Sequence, residues 1–161
     1  MASKVYRHYG ASLFDPTHKL GGGHMGKPNG LWASPKKSNE KSWTWKDFCE
    51  DANFRLESLN RHFDFRLKKG TRILRIHHLC DILPYLENDD DYEEYCKIFP
   101  SLIAADPTKR KKLNMKKIHA NFDGMEVYMG QSWNELHNSE MFWAYDVDSL
   151  VLWNLDRVVA I

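Results

Sequence analysis

The stretch VYRHYG (residues 5–10) near the start of the chain decides the interpretation of the rest. Its apolar and polar residues alternate, which predicts a short strand that places His8 on the core face and ends at Gly10. The segment GLWASP (residues 30–35) predicts a second short strand, which a proline stops. Residues 15–29 between them contain four glycines and two prolines before Gly30 and predict a loop. Two aromatic-rich strands with polar side chains and such a loop between them indicate a pocket.

Composition limits the class of protein. The chain has 161 residues, so we expect a single domain over residues 1–161. Hydrophobic residues make up 42%, enough for a core, and charged residues make up 28%, enough for a soluble surface. The net charge of +1 argues against a nucleic acid as the main partner, because domains that bind nucleic acids are usually strongly basic. No apolar run approaches the roughly 20 residues that span a bilayer, and no signal sequence opens the chain. We therefore expect a cytoplasmic protein without a membrane partner.

Common metal, phosphate and nucleophile motifs are missing from the sequence. The three cysteines, Cys49, Cys80 and Cys96, are widely spaced and form no CxxC pair, which predicts free buried thiols. The eight histidines form neither HxxxH nor HExxH, so we expect no metal site. The glycine-rich loop matches neither GxGxxG nor a P-loop, and no serine lies in a GxSxG turn.

The remaining chain predicts helices between strands. Residues 43–54 predict a helix capped by Ser42, with Trp45, Phe48, Cys49 and Ala52 on one apolar face. Residues 62–67 and 71–76 predict a β-hairpin, and residues 81–86 and 90–99 predict two short helices.

Later segments complete an α+β pattern. Residues 125–129 predict a strand that carries Glu126, and residues 131–141 predict a helix. Residues 149–153 are almost entirely apolar, so we expect a central strand there, and residues 158–161 predict a short final strand. Strands at both ends with helices between them predict an α+β domain.

A basic cluster at residues 109–117 indicates a second kind of partner, a nucleic acid. Its six lysines and arginines could contact the phosphates of a nucleic acid. The acidic run at residues 87–91 balances this charge, which favours a solvated surface.

The order of these motifs resembles the ADP-ribosyltransferase fold, in the branch with a histidine in the first strand. YRHYG (residues 6–10) is similar to the Tyr-His-Gly motif of the first strand, and GLWAS (residues 30–34) is similar to the Gly-Leu-Tyr-x-Ser/Thr motif of the second. A helix follows at residues 43–54, and DSLVLWN (residues 148–154) is similar to the late strand that begins with an acidic residue. The resemblance covers the two ends of the chain, and residues 62–117 carry none of the family's motifs. It implies an α+β domain with a split and bent antiparallel sheet and flanking helices.

The resemblance also implies NAD as substrate. His8 and the Ser34 hydroxyl would hold the ribose and amide of the nicotinamide half, and the Trp32 ring would stack on nicotinamide. Tyr9, Gly10 and Ala33 complete the expected NAD-binding set. A fixed carboxylate would stabilise the oxocarbenium-like centre that forms as nicotinamide leaves. The implied function is transfer of ADP-ribose to a protein acceptor, or NAD glycohydrolysis, by a bacterial or phage effector or toxin.

Two departures from the family pattern concern the site. Trp32 replaces the usual tyrosine, so it can stack but has no phenolic hydroxyl. The late strand begins with Asp148, or with Ser149 if the register shifts by one, where the family has glutamate. The expected catalytic carboxylates are therefore Glu126 and Asp148, with Asp146 as a further candidate, and the sequence does not choose among them. The alternative is an inactive module of the same fold that acts as an inhibitor or adaptor of a protein partner.

Overall fold

Residues 4–17, 20, 27–36, 42–87, 112–139, 141–142 and 144–161 are described by the structure, a computed structural model. Its strands are β1 (Tyr6–Tyr9), β2 (Leu31–Pro35), β3 (His62–Leu67), β4 (Ile73–Ile76), β5 (Gly124–Val127), β6 (Ser149–Leu152) and β7 (Val158–Ala160). They form one open seven-stranded sheet in the order β4-β5-β6-β2-β1-β3-β7. With the helices that flank this sheet, the chain is a single α+β domain.

The sheet is mixed rather than purely antiparallel. Five neighbouring pairs are antiparallel, but β4 and β5 run parallel, with Ile73 opposite Gly124 and Ile76 opposite Val127. Parallel neighbours need a long crossover connection, and residues 77–123 supply it. The expectation of an antiparallel sheet is wrong at this pair.

The predicted hairpin is also wrong, although both of its strands exist. β3 pairs with β1 and β7, whereas β4 pairs with β5 at the opposite edge of the sheet. Gly70, with φ of +83°, helps to turn the chain between them. Pairing both sides of β3 leaves no position for β4 beside it. Local alternation predicts a strand, but it does not name the strand's partner.

Three α-helices lie in the described ranges: α1 (Trp45–Asp51), α2 (Met115–Asn121) and α3 (Met129–His137). α1 begins two residues later than predicted because Thr44, not Ser42, is its N-cap. The Thr44 hydroxyl accepts a hydrogen bond from the Asp47 N–H, and the Asp47 carboxylate accepts one from the Thr44 N–H. The helix ends early, at Asp51 with Ala52 as its C-cap, and Asn53 follows with φ of +49°.

Short 3₁₀ helices cover Leu56–Asn60, Leu79–Tyr85 and Leu155–Arg157. The second replaces the helix predicted at residues 81–86, and the helix predicted at residues 90–99 lies outside the described residues. None of the helices in the described ranges is long and apolar enough to cross a membrane. Cys49 is buried as predicted, but Cys80 is exposed on its 3₁₀ helix, and Cys96 also lies outside these ranges.

Two apolar clusters cover the two faces of the sheet. One cluster packs β4, β5 and β6 against α2 and α3, with Ile76, Met125, Val127, Ile118 and Leu136 fully buried. The other joins side chains of β1 and β3 to side chains of β2 and β6; its members include Tyr6, Phe63, Phe65, Leu31, Ala33, Leu150 and Leu152. The central strands β6 and β2 are therefore covered on both faces, as the apolar run at residues 149–153 predicts.

The ladder between β1 and β2 is short. It contains two residue pairs, Tyr6 with Pro35 and Arg7 with Ser34, and the strands part beyond them. The Tyr6 hydroxyl nevertheless donates a hydrogen bond of 3.1 Å to Glu126 on β5, three strand spacings away. Three spacings measure about 14 Å across a flat sheet, so the sheet must curve strongly to bring these side chains together.

Candidate functional site

A cavity of about 390 Å³ opens where β1 and β2 part. It is lined by all six residues that the sequence predicts for NAD binding: His8, Tyr9, Gly10, Trp32, Ala33 and Ser34. His8 and Tyr9 end β1, Gly10 directly follows it, and the last three lie in β2. Gly10 adopts φ of +104°, a conformation that favours glycine, as the chain leaves β1 at the cavity wall.

The His8 ring is fixed across the gap between the two strands. Its Nδ1 lies 2.7 Å from the carbonyl oxygen of Trp32. Since a carbonyl oxygen only accepts, Nδ1 carries a proton and donates this hydrogen bond. Phe63 supports the ring from β3, with centroids 5.2 Å apart. This contact holds the histidine in one orientation at the cavity.

Trp32 gives the cavity an aromatic wall. Its ring packs against Tyr145 with centroids 5.7 Å apart, and its Nε1–H donates to the Pro28 carbonyl at 3.3 Å. The ammonium of Lys27, which also lines the cavity, lies 5.8 Å from the Trp32 ring and 5.5 Å from the Tyr145 ring. A flat ring beside a cation suits an aromatic ligand that carries negative charge nearby.

Ser34 joins the cavity to the start of α1. Its side chain is buried, and its Oγ accepts a hydrogen bond of 2.8 Å from the N–H of Trp45. The Oγ lies 3.5 Å from the Asp148 carbonyl oxygen, a long contact for the hydroxyl proton. Trp45 itself lines the cavity. The serine therefore positions β2 against α1 and keeps a weakly held proton.

Asp148 does not line this cavity. Its carboxylate accepts hydrogen bonds from the Gly130 N–H at 2.6 Å and the Trp43 N–H at 3.3 Å. Its side chain is buried, and burial raises the pKa of its carboxyl above the usual range. These contacts connect the start of α3 and the chain before α1 to the entry of β6.

Glu126, on β5, also lies outside the cavity lining and is fully buried. Its carboxylate accepts hydrogen bonds from the hydroxyls of Tyr6 at 3.1 Å and Tyr128 at 2.8 Å, and it pairs with the ammonium of Lys4. Burial and the Glu126 charge raise the pKa of both tyrosines. All of these contacts hold the curved sheet together.

The carboxylate that does line the cavity is that of Asp146, three residues before β6. Val147 and Ser149 line the cavity beside it, so the entry of β6 closes this wall. Asp146 also borders an adjoining cavity of about 490 Å³, whose other lining residues include Trp43, Phe48 and Trp133. Asp146 is thus common to two neighbouring cavities.

Sequence reasoning missed several residues of the wall, and three of them are polar: Lys27, Arg55 and Ser58. Lys27 lies in the predicted loop at residues 15–29, directly after its last glycine, but no motif marks it. Arg55 and Ser58 lie between α1 and β3, where the sequence shows no recognisable pattern. They reach the cavity because the chain runs from α1 to β3, the strand that pairs with β1.

The basic cluster at residues 109–117 forms no comparable site in the described residues. Lys112, Lys116 and Lys117 are exposed, and the Lys117 ammonium donates to the Pro84 carbonyl at 2.7 Å. The rest of the cluster, apart from residues 113–115, lies outside the described ranges. In the part of the chain that the structure describes, no group of three or more metal-ligating side chains comes together.

Comparisons with known proteins complete the description of the site. No family model, no curated protein and no solved structure matches the chain.

Proposed function

We propose that the chain binds NAD in the cavity between β1 and β2 and cleaves it, passing ADP-ribose to a protein acceptor or to water. The observation that carries the proposal is that all six residues expected to bind NAD line one cavity. They come from two segments about 20 residues apart in sequence, and a sequence motif predicts each of them. The volume of about 390 Å³ falls within the range of small-molecule sites.

The proposed pose uses the polar groups that face the cavity. The Trp32 ring stacks on nicotinamide, and the His8 imidazole contacts a hydroxyl of the adjoining ribose. The weakly held hydroxyl proton of Ser34 turns toward the carbonyl oxygen of the nicotinamide amide. Curvature of the sheet and the parting of β1 from β2 support a split sheet of the ADP-ribosyltransferase type.

We assign the catalytic role to Asp146, because it is the carboxylate in the cavity lining. The bond between nicotinamide and the ribose C1′ breaks, and nicotinamide leaves with the bonding electrons. The ionised carboxylate stabilises the positive charge that develops on the ribose. A water molecule or an acceptor side chain from the adjoining cavity then forms the new bond to C1′ and gives up its proton. Glu126 and Asp148 would affect this site only indirectly. Glu126 stabilises the curved sheet, and Asp148 positions the chain at the start of β6.

The second candidate function is an inactive module of the same fold that binds a protein partner as an inhibitor or adaptor. Two observations favour it: no glutamate among the described residues lines the cavity, and apolar side chains are exposed beside it. Phe54 and Leu56 each expose 42% of their surface, and Trp133 exposes 41%. Such a module would bind NAD weakly or not at all and would retain its partner through this aromatic surface.

The experiment is to incubate the purified chain with NAD and measure nicotinamide release by chromatography. A parallel incubation with labelled NAD and a bacterial lysate detects modified proteins. The proposal predicts enzyme-dependent release of nicotinamide, with labelling of a protein if an acceptor is present. Absence of both at millimolar NAD would contradict the enzyme function and leave the binding module. A bacterial or phage effector should in addition impair the growth of cells that express it.

A further inference from the structure

We propose that Arg55 and Lys27, which both line the cavity, form a diphosphate-binding subsite there, and that Arg55 selects ligands that carry this group. The inference rests on the proposed function, because it assigns the diphosphate of NAD to the same cavity. It adds to the proposed NAD site two residues, Arg55 and Lys27, that no sequence motif marks.

The backbone before and at Arg55 is held in an unfavourable conformation. Arg55 has φ of +48° and Asn53 has φ of +49°, and these are the only non-glycine residues with positive φ in the described ranges. A long side chain in this region is costly and persists where the surrounding structure requires it. Strain of this kind concentrates at ligand sites, and here it occurs in a loop that brings a guanidinium to the cavity.

Local contacts fix the strained loop. The Arg55 carbonyl oxygen accepts hydrogen bonds from the Ser58 N–H at 2.9 Å and the Ser58 hydroxyl at 2.7 Å. Ser58 lines the cavity as well. The Arg55 guanidinium lies 5.2 Å from the centre of the Phe54 ring. Backbone and ring together hold the side chain at the cavity rim before any ligand binds.

The charges of the wall are unbalanced. Arg55 and Lys27 line the cavity with one carboxylate, Asp146, and neither cation forms a salt bridge among the described residues. A diphosphate carries two negative charges, and a guanidinium can bind two of its oxygens at once. The ammonium of Lys27 lies over the Trp32 ring. A diphosphate bound to this ammonium would therefore lie next to the nicotinamide riboside that stacks on Trp32.

The test compares the wild-type chain with Arg55→Gly by calorimetric titration of NAD, ADP-ribose and nicotinamide riboside. Glycine accepts the left-handed conformation, so this variant removes the guanidinium and relieves the strain at the same time. Arg66→Ala is the matched control, because Arg66 is exposed on β3 and does not line the cavity. Circular dichroism and thermal unfolding establish that both variants fold.

We expect Arg55→Gly to weaken NAD and ADP-ribose binding about tenfold or more, which corresponds to about 1.4 kcal/mol. Nicotinamide riboside, which lacks a diphosphate, should bind both proteins within about twofold, and Arg66→Ala should bind all three ligands normally. Added salt should weaken ADP-ribose binding to the wild type more than to Arg55→Gly.

Equal ADP-ribose binding by the wild type and Arg55→Gly, an equal loss for all three ligands, or no ADP-ribose binding by the wild type would overturn the subsite. Failure of the proposed function looks different. Arg55-dependent binding of ADP-ribose without nicotinamide release from NAD would support the diphosphate subsite and reject the cleavage reaction.

Discussion

At the scale of single residues, three carboxylates near β5 and β6 differ in what surrounds them. Glu126 is enclosed by two tyrosine hydroxyls and a lysine, and Asp148 by two backbone N–H groups. Asp146 alone of the three lines the cavity. Asp146 and Asp148 are only two residues apart in the sequence. The sequence therefore does not show which of them is structural and which contacts a ligand.

We therefore predict that Asp146→Asn abolishes most nicotinamide release while the protein stays folded. A neutral amide of the same size cannot stabilise the positive charge on the ribose, and removal of such a group commonly costs about 100-fold or more in rate. NAD affinity should change little, because the carboxylate acts on the transition state. The measurement is single-turnover nicotinamide release together with an NAD titration.

Glu126→Gln and Asp148→Asn provide the comparison. Both replace a buried carboxylate oxygen that accepts a hydrogen bond with an amide nitrogen that cannot accept one, so we expect a lower free energy of unfolding, by about 1–3 kcal/mol, and residual cleavage by the folded fraction. Full cleavage by Asp146→Asn, with loss only in a stably folded Glu126→Gln or Asp148→Asn, would move the catalytic role to that residue.

At the scale of elements, the sequence predicts where strands lie better than it predicts which strands pair with each other. The alternation around His8 and the apolar run at residues 149–153 correctly predict β1 and β6, because burial on one or both faces leaves a local pattern. The pairing of β3 with β1, and of β4 with β5, depends on contacts far apart in sequence. The start of α1 was missed by two residues because Ser42 and Thr44 are both good caps, and only Thr44 has Asp47 at the third helical position.

Two glycines flank β6 and allow the close approach of its neighbours. A Cβ on Gly30 would lie 2.4 Å from Cγ2 of Val151, whereas a Cβ on Gly124 would lie 2.7 Å from the backbone oxygen of the same residue. We predict that Gly30→Ala and Gly124→Ala each lower the free energy of unfolding by about 1–3 kcal/mol, through overpacking. Urea unfolding measures both values.

The Val151→Ala background separates the two mechanisms. Removing Cγ2 should recover part of the cost of Gly30→Ala but none of the cost of Gly124→Ala, since a backbone oxygen cannot be trimmed away. A double-mutant cycle gives the two coupling energies. Equal coupling energies for the two glycines would contradict this account of the packing around β6.

At the scale of the whole molecule, composition and pattern predict the α+β class and the single domain, whereas the bent sheet is expected only from the family resemblance and from no local pattern. Tyr6 meets Glu126 only because two halves of the sheet fold toward each other over one apolar cluster. The cavity follows from the same geometry, since β1 and β2 part after two residue pairs. Motifs named six of its residues, but Arg55, Lys27 and Ser58 reach it only through the folded chain.

A charge cluster across three strands predicts how stability depends on pH. Asp64 on β3 accepts two hydrogen bonds from Arg7 on β1, at 2.6 and 3.0 Å, and pairs with Lys36 after β2 at 2.9 Å. Hydrogen bonds from Arg7, more than any other favourable contact, lower the pKa of Asp64 to about 2. Because the folded-state pKa lies below the unfolded one, its stabilisation is present above about pH 4 and is lost as the pH falls toward 2.

We predict that Asp64→Asn lowers the free energy of unfolding by about 1–2 kcal/mol at pH 6. The difference from the wild type should shrink at pH 3, where the unfolded wild-type chain already takes up the proton. Urea unfolding at pH 6, 4 and 3 gives the three differences. A difference that stays constant over this range would show that Asp64 acts through packing rather than charge.

The central claim is that the cavity between β1 and β2 binds NAD, and calorimetric titration of NAD into three proteins tests it most directly. The wild type should bind NAD saturably, His8→Ala should bind at least about tenfold more weakly, and His62→Ala should bind normally. His62 is the matched control because it is also half-buried, its Nδ1 also contacts a backbone carbonyl oxygen, that of Leu59 at 3.1 Å, and it does not line the cavity. No saturable binding of NAD by the wild type, or equal affinity in His8→Ala, would contradict the claim.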